Sequence, residues 1–257
     1  MTEAQWKAGP EFPLLIPGEV HVWRAALGAP AELRGRLERT LSADERARAG
    51  RLRQPEHRAH FIVSRGVQRD ILARYIGVPA SELTFTYTVT GKPGFANVGT
   101  DLRFNVSNSG GLALYAVALG REIGVDVEEI RPVPRALALA RGFFSASEVR
   151  ALHALPVDAI ERAFLTCWTR KEAFVKAAGT GLSLALDRFD VGFTPGEPAR
   201  LLGTRPPAPA AEQWRMHEVD AGAGYVAALV VAGGTADLSW FDWNVSPDDG
   251  DHDELRP

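Results

Sequence analysis

The chain has one cysteine, Cys167, in 257 residues. A single thiol excludes an internal disulfide and any structural zinc site built on cysteines, and this usage suits a reducing compartment. An excess of one charge is also missing. The 29 Lys and Arg against 32 Asp and Glu leave a formal net charge of -3, which gives no general pull toward nucleic acid or an anionic membrane. Long apolar runs are absent too: the longest, YVAALVVAGG at 225–234, falls well short of the ~20 residues a spanning helix needs. No basic segment followed by an apolar core opens the chain. The expectation is a cytoplasmic protein with no membrane or nucleic-acid partner. Its 46% hydrophobic and 24% charged residues are those of an ordinary globular chain, long enough for one large domain or two compact halves.

What is present begins with an irregular, proline-punctuated start. LSADERARAG (41–50) then offers Ser42 as a helix cap with Glu45 three residues on, the spacing of a capping box. A second helix is expected over 55–75. Ala59, Ile62, Val63, Gly66, Val67, Ile71 and Tyr75 recur at helical spacing, with Arg58, Arg65 and Arg69 projecting from the other sides. LTFTYTVTGKPGF (83–95) alternates as a strand and closes in a tight loop. LRFNVSNSGGLALYAVALGREIGVDVEE (102–129) reads as three short strands joined by turns, an antiparallel meander whose last strand carries Asp126 and Glu128.

FFSASEVRALHAL (143–155) holds a second capping box, Ser145 with Glu148, and a helix over about 159–178 is ended by Gly179 and Gly181. RFDVGF, WRMHEVD, YVAALVVAG and LSWFDWNV follow as strands. GGLALYAVALG and GAGYVAALVVAG echo each other, which suggests two halves sharing one plan. The tail SPDDGDHDELRP is acidic and reads as disordered.

Two stretches carry candidate chemistry. In GVDVEE (124–129), strand alternation aims Asp126 and Glu128 the same way, roughly 6.6 Å apart along the strand, with Ile123, Val125 and Val127 on the other face. Like charges this close raise each other's pKa unless a cation or hydrogen bonds keep both ionised. A solvated strand face and a cation site both fit. In CWTRKEAFVKAAGTGLS (167–183), Trp168, Lys171, Glu172 and Lys176 lie at spacings of three and four along one side of a helix. A surface Glu172–Lys176 ion pair fits these residues. So does a metal-bound diphosphate, because Mg²⁺ takes one or two carboxylates plus phosphate oxygens while lysine acts as a point charge on phosphate.

In order along the chain, GKPGF, FNVSNSGG, GVDVEE, FFSASE and WTRKEAFVKAAGTGLS resemble the Sfp-type 4'-phosphopantetheinyl transferases, over about 42–230. The resemblance implies an α+β fold, a pseudo-dimer of two similar halves, each a small antiparallel sheet packed against helices, with coenzyme A in the cleft between them. The division would be 1–120 on the coenzyme A side, 121–243 with the metal and catalytic motifs, and 244–257 as a tail. The implied activity moves the 4'-phosphopantetheine arm of coenzyme A to a serine of an apo acyl- or peptidyl-carrier protein. By the family pattern, Asp126, Glu128 and Glu172 match ligands of Mg²⁺, and Lys176 matches the lysine on the pyrophosphate. Glu172 is the first candidate for the base, with Glu148 the second. Lys92, Pro93, Ser107, Asn108, His60 and Arg48, together with Lys176, form the expected coenzyme A contacts.

The chain departs from the pattern at Asn108, where relatives usually have histidine, and at His60, where they generally have arginine. Both changes remove charge expected on phosphate. The alternative reading is therefore a catalytically weak module that binds coenzyme A or a carrier. A pyrophosphate hydrolase is a third. Arg141, Arg150 and Arg170 are candidate contacts for an acidic carrier, Lys171 a rim charge, and a monomer suffices for a site between two halves.

Overall fold

A computed structural model describes residues 5–96 and 99–244. The N-terminal half contains β1 (Lys7–Ala8), β2 (Glu19–Ala26), α1 (Ala31–Thr40), α2 (Ala43–Arg51), α3 (Pro55–Ile76), β3 (Phe85–Tyr87), β4 (Pro93–Phe95), β5 (Leu102–Ser109) and β6 (Leu112–Leu119). Ser42 and Glu45 form the expected capping box on α2. Pro55 opens α3, where its missing N–H costs nothing, and Gly77 ends it in the left-handed conformation at φ 75°. Val63, Val67 and Ile71 of α3 pack against Trp23, Phe104, Tyr115 and Val117 of the sheet. Arg69 corrects the expectation of an outward arginine. Its side chain is buried, paired with Glu45 at 2.7 Å and bonded to the carbonyls of Ala80 and Leu83, so a charge on an apolar face is tolerated because a carboxylate and two carbonyls accept from it.

The C-terminal half contains β7 (Ile123–Glu129), α4 (Ala136–Phe143), α5 (Ala146–His153), α6 (Val157–Ala178), β8 (Phe189–Val191), β9 (Leu201–Thr204), β10 (Trp214–Glu218), β11 (Tyr225–Ala232) and β12 (Asp237–Asp242). Ser145 and Glu148 again form a capping box, on α5, and Gly179 caps α6 at φ 67°. The two halves follow one plan. In each, a strand leads through a 22-residue helix to a hairpin, giving the antiparallel orders β5-β6-β2 and β10-β11-β7. The echoing segments are β6 and β11, the central strands of the two trios.

The layers run α3, first sheet, second sheet, α6. Strand alternation supplies the faces. Ala113, Tyr115 and Val117 of β6 turn toward α3, while Leu114, Ala116 and Ala118 meet Ile123, Val125 and Val127 of β7 and Ala227, Leu229 and Val231 of β11 in a core between the sheets. Val226, Ala228 and Val230 turn the other way, toward Ala173, Phe174 and Ala177 of α6. Burial of each full-sized aliphatic side chain contributes about 1.5–3 kcal/mol, so this shared core holds the halves together.

Besides Arg69, and the β2 and α1 found where an irregular start was expected, two features of the topology differ from the sequence expectations. First, the segment 102–129 is not one meander: β5 and β6 pair, but β7 leaves them and pairs with β11. Second, β12, assigned by sequence to the C-terminal half, lies parallel between β1 and β2. The first sheet is therefore mixed and five-stranded, and the chain's end is stitched into its beginning. Residues 245–257, which include nearly all of the acidic tail, lie outside the described residues. Among the described residues no helix is long and apolar enough to cross a membrane.

Candidate active site

The site lies where β7 meets α6. Gly124 makes that meeting close: a Cβ there would sit 2.2 Å from the Ala173 carbonyl oxygen and 2.3 Å from the Ala177 nitrogen. With no side chain at 124, α6 rests directly on the strand. The even-numbered face of β7, carrying Asp126 and Glu128, then looks toward the helix turn that bears Glu172 and Lys176. The strand carboxylates thus face an opposing element, in contrast to the solvated-face reading.

Asp126 is 5% exposed. Its Oδ1 accepts from Lys176 Nζ and from Ser107 Oγ, each at 2.7 Å, and Lys176 Nζ also reaches the Val125 carbonyl at 3.3 Å. Oδ2 is buried with no partner. A buried acceptor left unpaired costs about 1–3 kcal/mol, so this oxygen is short of one ligand. Glu128 is half-buried and accepts from Ser109 Oγ at 2.7 Å. Burial, the first cause, and the charges of Asp126 and Glu128 raise the pKa of Glu172, partly offset by Lys176. Three carboxylates therefore repel within one neighbourhood, with one lysine among them.

That donor set suits a hard divalent cation. The orphaned Asp126 Oδ2 and the repulsion felt at Glu172 are the observations behind the fit. As placed, no three His, Cys, Asp or Glu side chains among the described residues converge into a formed metal-binding group. Lys176 holds the other oxygen of Asp126.

Glu148 sits differently. It is 3% exposed, its Oε1 accepts from the Val191 N–H, and its Oε2 accepts from the Ser145 N–H and pairs with Lys171 at 2.8 Å. This corrects its place as the second base, because every oxygen is engaged and no exposed face is left for a substrate hydroxyl. Lys171 is likewise no rim charge: it is fully buried, bonded to the Leu186 and Phe189 carbonyls and set over the Phe189 ring. Arg170 is buried as well, bonded to the Gly192 carbonyl and to Glu218. Of the three candidate carrier contacts, Arg141 and Arg150 are exposed.

The remaining sequence candidates spread over the N-terminal half. Lys92 pairs with Glu122 and donates to the Ala177 carbonyl at 3.2 Å, while Thr90 Oγ1 donates to the Gly179 carbonyl at 2.9 Å. This loop caps the C-terminus of α6, where a cation opposes the helix dipole. Pro93 pairs with Tyr87 in the β3–β4 hairpin. Arg48 and Arg65 lie over the Phe61 ring at 5.5 and 5.7 Å, and His60, the next residue on α3, is half-buried. Asn108 is exposed, whereas Ser107 is buried against Asp126. Sequence reasoning missed Asn105 and Ser109. A signal for the latter existed, because Ser107 and Ser109 share the two-residue spacing of Asp126 and Glu128.

The two halves seen in the structure are also two halves in sequence comparison. Residues 31–119 match the family described as 4'-phosphopantetheinyl transferase, N-terminal, and residues 122–230 match the 4'-phosphopantetheinyl transferase superfamily. The chain is 40% identical over 237 residues to the 4'-phosphopantetheinyl transferase HetI of a Nostoc species, covering 91% of this chain and 96% of that protein. It is 38% identical over 151 residues to a putative 4'-phosphopantetheinyl transferase of a Synechocystis species, covering 58% and 61%. It is 31% identical over 151 residues to the 4'-phosphopantetheinyl transferase Sfp of Bacillus subtilis, covering 59% and 66%. The chain belongs to the 4'-phosphopantetheinyl transferase family and, with both halves present, to its Sfp type.

Proposed function

We propose that this protein moves the 4'-phosphopantetheine arm of coenzyme A onto a serine hydroxyl of an apo acyl- or peptidyl-carrier protein, acting as a cytoplasmic monomer. The observation that carries the reading is the buried Asp126 carboxylate with one oxygen unpartnered, beside Lys176 and the pKa-raised Glu172. Asp126, Glu128 and Glu172 would hold Mg²⁺, which supplies Lewis-acid neutralisation of the pyrophosphate. Lys176 Nζ, 27% exposed at its side chain, places a positive charge where negative charge grows on the bridging oxygen. Glu172, one helical turn from Lys176, takes the proton from the carrier serine, directly or through water. The serine oxygen bonds to the phosphorus that bears the pantetheine arm, the P–O bond to the adenylate side breaks, and adenosine 3',5'-bisphosphate leaves with the electron pair.

On the coenzyme A side, Arg48 and Arg65 around Phe61 offer cations next to His60, a reserve of permanent charge for the two positions that depart from the family pattern. Exposed Arg141 and Arg150 suit an acidic carrier. The test is incubation of the full chain with coenzyme A, Mg²⁺ and several apo carriers, read as intact carrier mass. The expected result is a gain of one phosphopantetheine, lost with EDTA and in Glu172→Ala. Coenzyme A binding without any mass gain would overturn the reading in favour of a catalytically weak binding module.

A further inference from the structure

β5 is the edge of the first sheet and β7 the edge of the second. Exposed strand edges normally pair through their backbones, but these two are bridged by side chains. Asn105 Oδ1 accepts from the Val125 N–H at 2.9 Å and Ser109 Oγ from the Glu129 N–H at 3.1 Å, both at a sequence offset of 20. A constant offset means that the strands run parallel and in register. Side chains set between two backbones hold them wider apart than the ~4.8 Å of a backbone ladder. Leu102, Phe104 and Val106 turn into the core beneath α3, which leaves Asn105, Ser107 and Ser109 for β7.

We propose that Ser107 and Ser109 are positioning residues: from the N-terminal half they orient Asp126 and Glu128, and so set the affinity of the divalent cation site. The inference rests on the metal reading given above. Ser107 and Lys176 both engage Asp126 Oδ1, which pins the carboxylate and leaves Oδ2 buried and unpartnered, free to take a ligand. Ser109 acts by elimination. Its oxygen accepts the Glu129 N–H, so its single proton goes to Glu128 Oε2 at 2.7 Å. Each strand presents its pair two residues apart, and strand alternation matches them one to one. Gly110 keeps the approach clear, because a Cβ there would lie 2.6 Å from Glu129 Oε2. A half that supplies no metal ligand thereby aims two of them. In this proposal Ser107, expected as a coenzyme A contact, acts at the carboxylate instead.

The experiment is a Mn²⁺ titration by electron paramagnetic resonance on the full chain with saturating coenzyme A. It compares wild type, Ser107→Ala, Ser109→Ala and Ser107→Thr, with coenzyme A binding in EDTA measured alongside. Outer-shell partners of metal ligands typically govern about 10–100-fold in metal affinity. The expected result is a loss in that range for each alanine variant, recovery in Ser107→Thr, which keeps the hydroxyl, and unchanged coenzyme A binding in EDTA. Should Ser107→Ala not fold, Ser109→Ala carries the same reading at Glu128. Wild-type Mn²⁺ affinity in both alanine variants would overturn the proposal, as would weakened coenzyme A binding in EDTA with Mn²⁺ affinity intact. Absence of Mn²⁺ binding in wild type would instead bring down the metal reading beneath it.

Discussion

Lys171 and Lys176 leave the same helix five residues apart, and each meets a carboxylate at nearly the same distance, 2.8 and 2.7 Å. Around Lys171 every polar group is answered. The ammonium has Glu148 and two carbonyls, both Glu148 oxygens have backbone N–H donors, and neither side chain exceeds 3% exposure. Around Lys176 the account stays open, with one Asp126 oxygen unpaired, Glu172 holding its proton more tightly than usual and the lysine partly in solvent. A saturated buried pair is a finished piece of structure. A pair with acceptor capacity to spare is where a ligand can still bind.

Breaking the closed pair should have the largest effect. Lys171→Met leaves Glu148 as an uncompensated buried charge, and such losses run to about 3–5 kcal/mol. A lower urea midpoint at unchanged slope would show it. Adding Glu148→Gln should recover part of the loss, as a double-mutant cycle would reveal.

Breaking the open pair should read out in chemistry. For Lys176→Met the stability loss is expected to be smaller than for Lys171→Met, because Lys176 is partly in solvent and Ser107 still bonds Asp126. The transfer rate should drop roughly 10²–10³-fold, as for loss of one charge-stabilising donor. Equal effects of the two lysine variants on stability and rate would erase the distinction between the pairs.

The smallest effect sharpens the comparison through pH. Burial and then Asp126 raise the pKa of Glu172, so the native state of the EDTA-treated protein binds the proton more tightly than the unfolded chain. The stability this group contributes is full below the ordinary carboxylate range and is lost as pH rises through the raised value. Glu172→Gln should therefore flatten the decline in melting temperature above that range. A decline identical to wild type would assign the pH dependence to other groups.

Helix α6 shows how far spacing alone reaches. Trp168, Lys171, Glu172 and Lys176 are linked stepwise by intervals of three and four, which suggests one face. At 3.6 residues per turn, however, positions 171 and 176 lie about 140° apart around the axis. The structure uses that angle, sending Lys171 among Phe144, Phe189 and Glu148 and Lys176 to β7. The arginines of α3 show the same limit, since Arg69 carries no local mark of its burial until Glu45 and the 80–83 carbonyls are in place. By contrast, both capping boxes and the ends of α3 and α6 were legible within two residues, because caps and apolar spacing are contacts between near neighbours.

The sequence by itself determined which residues share a face: the two carboxylates of β7, the two serines of β5, the capped helix starts and the glycine ends. It also sufficed for the family, because the motifs are contiguous. The tertiary structure alone decided what each face meets. Ser107 reaches Asp126 across 19 residues and Lys176 reaches it across 50, while Trp240 of β12 pairs with Val22 from the other end of the chain. Periodicity is set by contacts within a few residues, whereas the choice of partner depends on how whole layers pack, and no local spacing encodes that.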